Sequence, residues 1–289
     1  MTGSNHWIKI TVFLLAAVLS SAAQDKGLEI TGFRVPEYNE QSEMTSQLFG
    51  DRAVMEGNGK VRIIKANMEF YRGEETFMVV KSPYCIYDQK TNQAHSDAPV
   101  AADMDGVRVR GRGFELASNT RIVNILNDCV VTIDDLMQQS ADEAAAAAPA
   151  DTNQATVITS ETLFLDYSGR KVRFEGTVHV QDPKMSMDCE TMDVGFSESN
   201  EIDWIEAFTN VKLLSEGRVA TAGKAVYNLK NEEFLLEDNP VIHEGRNMLT
   251  GDRIQFQRSS GRMVCEPSAR LIIYPDQDED QNATNIFGD

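Results

Sequence analysis

The chain has 289 residues, 42% of them hydrophobic, and 45 Asp and Glu stand against 27 Lys and Arg for a net charge of −18. That length suits two domains, and the apolar content excludes a globally disordered chain. The acidity argues against nucleic acid as a partner, because backbone phosphates need cations, and against docking on anionic lipid by charge alone.

Lys9 precedes an apolar run from Ile10 to Leu19, followed by Ser20-Ser21-Ala22-Ala23. A basic start, a short apolar core and a small-residue exit predict a secretory signal peptide over residues 1–23, cut after Ala23. The run is short for a bilayer span, which takes about 20 apolar residues. The alternative is an uncleaved inner-membrane anchor. No cysteine lies near the cut, so a lipoprotein is not expected. The mature chain is therefore expected in the periplasm.

Residues 24–137 read as a first β domain. Val61-Arg62-Ile63-Ile64 is followed by Met68 and Phe70, and then by Phe77-Met78-Val79-Val80. Asp103-Met104-Asp105-Gly106 reads as a hairpin turn, and Val107-Arg108-Val109-Arg110 alternates beyond it. Ile122 to Ile133 gives a further pair of strands. Residues 138–155, with alanines from Ala144 to Ala148 and then Pro149, read as a flexible linker.

Residues 156–275 read as a second β domain. Phe174, Val178 and Val180 share one face of a strand, as do Ile205, Ala207, Val211 and Leu213. Ala225, Tyr227 and Leu229 repeat the pattern, and Phe234, Leu236, Val241, Ile254 and Phe256 continue the apolar series. Period-two alternation gives each strand one wet and one dry face. Turn residues recur every 8 to 12 positions or so, which predicts an antiparallel sandwich, jelly roll or barrel. The acidic tail, residues 276–289, is expected to be disordered. A calcium loop there would need an EF-hand spacing that it lacks.

Four cysteines, Cys85, Cys129, Cys189 and Cys265, remain in a chain whose export permits disulfides. Three pairings are open. Cys85–Cys129 and Cys189–Cys265 would keep each bridge inside one domain, and four buried thiols are the alternative. No CxxC supports a zinc or redox site.

Signatures of catalysis are missing. There is no GxSxG elbow. Gly217 to Lys224 has the wrong spacing for a phosphate loop, and Ala225 stands where Ser or Thr must meet magnesium. His6, His95, His179 and His243 form no close pair, so a metal site would need distant strands. His179 occupies a polar-face position and reads as solvated. The expectation is a protein without enzyme activity, metal or cofactor. An envelope hydrolase whose carboxylates come together only in the fold is the minor alternative.

Six fragments of the second half form an ordered series. They are Phe174-Glu175-Gly176-Thr177-Val178, Met187 to Val194, Ile205 to Val211, Ala222 to Tyr227, Phe234 to Val241, and Leu249 to Ile254. In this order they resemble the OstA-like, or LptA-like, family of lipopolysaccharide-transport proteins. Cys189 stands where the family pattern has a small residue, and Thr209 and Asp238 stand where it has Gly. The first half is similar to the LptC-like relative of the same fold. Gly50-Asp51-Arg52-Ala53, the strand at Val61, Ser82 to Asp88 and Gly106 to Leu116 carry that likeness. Loss of the signal would leave no LptC-type membrane anchor.

The resemblance implies two related jelly-roll, or taco-shaped, β units, open along one edge and holding acyl chains between their sheets. Lipopolysaccharide, or a related acylated lipid, would be the ligand. Other Lpt-type domains would be partners by edge-strand stacking. The slot-lining residues it implies are Phe174, Val178, Ile205, Val211, Leu213, Tyr227, Phe234, Leu236, Ile254 and Phe256. These same residues would fill a closed sandwich core equally well. An envelope scaffold of the same fold that binds only protein is the competing function.

Overall fold

The computed structural model describes residues 28–104, 106–117, 122–134, 155–198, 201–215, 217–257 and 260–274. The expected signal peptide, the acidic tail and the linker apart from Ala155 lie outside those residues. Every regular element described is a strand, and no helix among the described residues is long and apolar enough to cross a membrane.

The strands are β1 (Glu29–Tyr38), β2 (Met44–Gly57), β3 (Lys60–Arg72), β4 (Glu75–Asp88), β5 (Gln93–Met104), β6 (Val107–Ala117) and β7 (Ile122–Ile133) in the first half. The second half holds β8 (Thr156–Ser160), β9 (Thr162–Asp166), β10 (Lys171–Gln181), β11 (Met185–Phe196), β12 (Ile202–Ser215) and β13 (Arg218–Asn228). It ends with β14 (Glu233–Glu237), β15 (Val241–Glu244), β16 (Asn247–Thr250), β17 (Arg253–Gln257), β18 (Arg262–Cys265) and β19 (Arg270–Ile272). From β1 to β7 each strand pairs antiparallel with the next. The ladder then passes through β8 and β9 to β10 and on through β11, β12 and β13.

The expected two β units are thus two parts of one sheet. Ile133 of β7 stands opposite Thr156 of β8, and Ile122 opposite Asp166 of β9. Backbone hydrogen bonding therefore runs from one half into the other without a gap. Alternation along each strand fixes what its inner face carries. It does not tell whether the last strand of one unit also pairs with the first of the next.

A crease runs across this sheet. Ladder pairing is interrupted at mid-length in nearly every strand, the interruptions lie opposite one another, and from the β4–β5 ladder onward the register also shifts there. Gly32 faces the β2 break at Gly50-Asp51, followed by Lys65, Pro83, the Ser96–Pro99 step, Gly111 and Asp128. It continues through Glu161, Gly176-Thr177, Glu190, Thr209-Asn210, Gly223, Asp238-Asn239 and the gap between β16 and β17. Left-handed backbone concentrates there, at Lys65, Asp128, Thr177, Thr209, Asn210, Asp238 and Asn239. Bulges bend a strand and sharpen its twist. A line of them folds the whole sheet into two facing leaves.

Inner faces are apolar, as the alternation predicts. Val61, Ile63, Met68 and Phe70 of β3 are buried, while Lys65, at the crease, is exposed. In β6, Arg108, Arg110 and Arg112 are exposed, while Phe114 and Leu116 are buried. One core cluster joins both halves. Burial of this apolar face is the main favourable term, at about 25 cal/mol per Å².

The expected disulfides are absent: Cys85, Cys129, Cys189 and Cys265 are all free thiols. Neither expected pair stands on neighbouring strands. Cys85 on β4 and Cys129 on β7 are separated in the ladder by β5 and β6. Cys189 on β11 and Cys265 on β18 are separated by β12, β13, β14 and β17. Each thiol is taken up by its own surroundings. Burial pushes the Cys85 and Cys189 thiols up to about 12 and that of Cys129 to about 11. Cys265 Sγ donates to Thr250 O at 3.5 Å.

Candidate functional site

Inward side chains stand in rows because the register holds them opposite one another. Val172, Val194, Ile205, Tyr227, Phe234 and Phe256 are successive cross-strand partners on one leaf. The next row on that leaf is Phe174, Met192, Ala207, Ala225, Leu236 and Ile254. On the other leaf Val180, Met187, Leu213, Ala220 and Ile242 make a third row. Val178 and Val211 sit beside the crease. All ten residues named from the sequence therefore lie on the inner face. Phe174, Val178, Val211, Tyr227, Leu236 and Ile254 are buried, and Ile205, Leu213, Phe234 and Phe256 are half-buried. Tyr227 and Phe234 stack with ring centroids 4.0 Å apart.

Space between the leaves is uneven. In the first half Leu48, Met68, Val80, Cys85, Phe114 and Leu116 meet around a void of only about 10 Å³. A cavity of about 530 Å³ opens where the halves join. Phe77, Met104, Val107, Val109, Val131 and Ile133 form its wall on one leaf of the first half. Leu163, Leu165, Val172, Phe174, Val194, Phe196 and Ile202 face them from the other leaf of the second half. Sheet twist sets these two leaves over one another. Most lining residues belong to strand tips, so the cavity lies on the side away from the crease.

Of the ten residues, only Phe174 lines this cavity. Sequence alternation marks Val107, Val109, Phe77 and Val172 as strand residues with a dry side. Nothing in it says that β4 to β7 face β9 to β12. That relation depends on the continuous ladder and on its twist.

The rim is charged but balanced. Arg72, Arg170 and Lys171 alternate there with Glu75, Asp166 and Glu201. Arg170 lies 3.7 Å from Glu198. Lys171 lies 2.8 Å from Asp193 and over the Trp204 ring at 5.8 Å. Asp193 is buried, with a side chain 3% exposed, and takes a bidentate pair from Arg173 at 2.7 and 2.8 Å. Burial alone would raise its pKa, but the Arg173 and Lys171 hydrogen bonds outweigh that and hold the carboxyl below its ordinary value. This network fixes the β10–β11 wall of the cavity.

A clasp spans the mouth. Phe77, on β4, stacks on Tyr167, in the β9–β10 turn, with centroids 4.7 Å apart and planes at 22°. Arg72 donates to the Tyr167 hydroxyl at 3.1 Å and lies over the Phe77 ring at 5.2 Å. Each such contact is worth on the order of 1 kcal/mol.

His179, expected to be solvated, is about half exposed and pairs across strands with Asp188, Nδ1 to Oδ1 at 2.7 Å. Among the described residues no group of three or more His, Cys, Asp or Glu side chains is placed to share a metal ion.

Residues 157–262, from β8 into β18, match the family model described as "LptA/(LptD N-terminal domain) LPS transport protein". The match does not extend into the first half. No curated protein matches the chain. Among solved structures, the chain is similar to LptH, "the LptA homologous periplasmic component of the conserved lipopolysaccharide transport device from Pseudomonas aeruginosa". That match covers 44% of this chain and 100% of the other, at 13% identity and a TM-score of 0.39.

Proposed function

We propose, from the premise that residues 157–262 are a lipopolysaccharide-transport domain of the LptA/LptD N-terminal kind, that this protein carries lipopolysaccharide or a related acylated lipid through the periplasm. Acyl chains lie between the two leaves. Residues 1–23 direct export and are removed. The first half is an LptC-like unit fused ahead of the LptA-like one. The outer edges of the sheet, β1 at one end and β18 with β19 at the other, stack against other Lpt-type domains by strand addition.

The observation that carries this reading is the apolar seam cavity of about 530 Å³. Each buried methylene is worth about 0.8 kcal/mol, so a dozen supply roughly 10 kcal/mol before the cost of association. A rim with as many acids as cations adds little net attraction for a phosphate, so the hydrocarbon supplies the affinity. No catalytic step is part of the proposal.

A protein-only scaffold is the second reading. The tight packing around Leu48, Met68 and Phe114 in the first half favours it, as do the exposed Leu271 on β19 and Ile273 and Tyr274 just beyond it. Displacement of a fluorescent fatty acid from the mature protein by lipopolysaccharide separates the two. Transport predicts saturable displacement. Val109→Asp and Phe196→Asp, at half-buried lining positions, should weaken probe binding at least tenfold with an unchanged circular dichroism spectrum. Absence of probe binding leaves the scaffold.

A further inference from the structure

We infer that the seam cavity is loaded sideways, through a gate formed by Arg72, Phe77 and Tyr167. This rests on the acyl-chain reading above and adds the route by which the chain comes in.

The crease side is closed by the strands themselves, which run through the bend from one leaf to the other. The first-half void ringed by Leu48, Met68, Val80, Cys85, Phe114 and Leu116 measures only about 10 Å³, too small for a tail to slide through it toward the seam. The mouth is built differently. The ladder partners of β4 are β3 and β5, and those of β9 are β7 and β10, so no strand pairing joins the β3–β4 hairpin to the β9–β10 turn. Contact between them is made by side chains 95 residues apart in sequence.

The position of Phe77 is itself produced by an irregularity. Phe70 pairs with Met78 and Tyr71 with Thr76, which leaves Phe77 in a bulge. Strict alternation would aim it away from Met78, out of the fold. The bulge instead lets it pack on Phe70 at 6.3 Å and on Tyr167. Arg72 is exposed, and Phe77 and Tyr167 are half-buried. Rotation of two aromatic side chains opens the mouth without breaking a backbone hydrogen bond. Opening of this kind is fast and local compared with unfolding a strand.

The test uses the full mature chain carrying Cys265→Ser, with Phe77→Cys and Tyr167→Cys bridged by a bifunctional thiosulfonate that reductant cleaves. Uptake of a fluorescent fatty acid is followed by stopped flow. The bridge should slow association at least tenfold, and reductant should restore the rate. Without a bridge, Tyr167→Ala should speed association severalfold, and Tyr167→Phe, which keeps the stack but loses the bond from Arg72, should fall between it and the parent. Equal rates for bridged and reduced protein, or for Tyr167→Ala and the parent, would overturn the gate while leaving the acyl-chain site standing. If the parent protein binds no fatty acid at all, the acyl-chain site falls, and the gate with it.

Discussion

Thr209 holds φ at 64° and Asp238 at 60°, both on the crease. At both positions the resemblance read from the sequence implies Gly. Left-handed backbone costs an L-residue about 1–2 kcal/mol, and a β-branched residue suffers most. Asp tolerates the region better through local hydrogen bonding. Thr209→Gly should therefore stabilise the protein by about 1 kcal/mol, seen as a raised urea midpoint at unchanged slope. Asp238→Gly should do less. The cysteines give a second residue-scale expectation. Below about pH 9 the thiols are neutral in folded and unfolded chains alike. Above it the unfolded chain loses protons that the buried Cys85, Cys129 and Cys189 retain until about 11 to 12. Stability should fall as pH rises through that window, and the fall should shrink in Cys85→Ala. Alkylation of the native protein should label the partly exposed Cys265 first, and the other three only in denaturant. Mass mapping that finds bridged peptides would contradict the free-thiol assignment.

Strands were legible because their chemistry repeats every second residue. Val107 and Val109 point inward while Arg108 and Arg110 do not, as reading the sequence expects. Gly176 of the F-x-G-x-V fragment also has a visible reason: its φ is 80°, and a Cβ there would meet the Glu161 carboxyl at 2.6 Å. The crease as a line was not legible, since it exists only once register sets Gly111 beside Asp128 and Thr209 beside Gly223. Gly50 shows what the line demands. A Cβ there would run into the Ile63 side chain and lie 2.7 Å from Ile64 O, a backbone atom that cannot step aside. Gly50→Ala should cost about 1–3 kcal/mol, as overpacking does, measured by thermal denaturation. A neutral result would mean that this bend is not tightly packed.

At the scale of the whole molecule, the halves share one ladder and one core, and an apolar cavity of about 530 Å³ lies at their junction. Sequence alternation could nominate Phe174 and Val178 for a dry face. It could not show that Val109 on β6 and Val194 on β11 look across the same cavity, because that follows from twist accumulated over the intervening strands. The central claim is that hydrocarbon occupies this seam. Site-specific photo-crosslinking in cells tests it most directly, with a photoreactive side chain replacing Val109 or Val194 on the inner face, or Thr132 or Glu206 on the outer face. Lipopolysaccharide adducts are expected at Val109 and Val194 and none at Thr132 and Glu206. Adducts at all four positions alike, or at none, would contradict it.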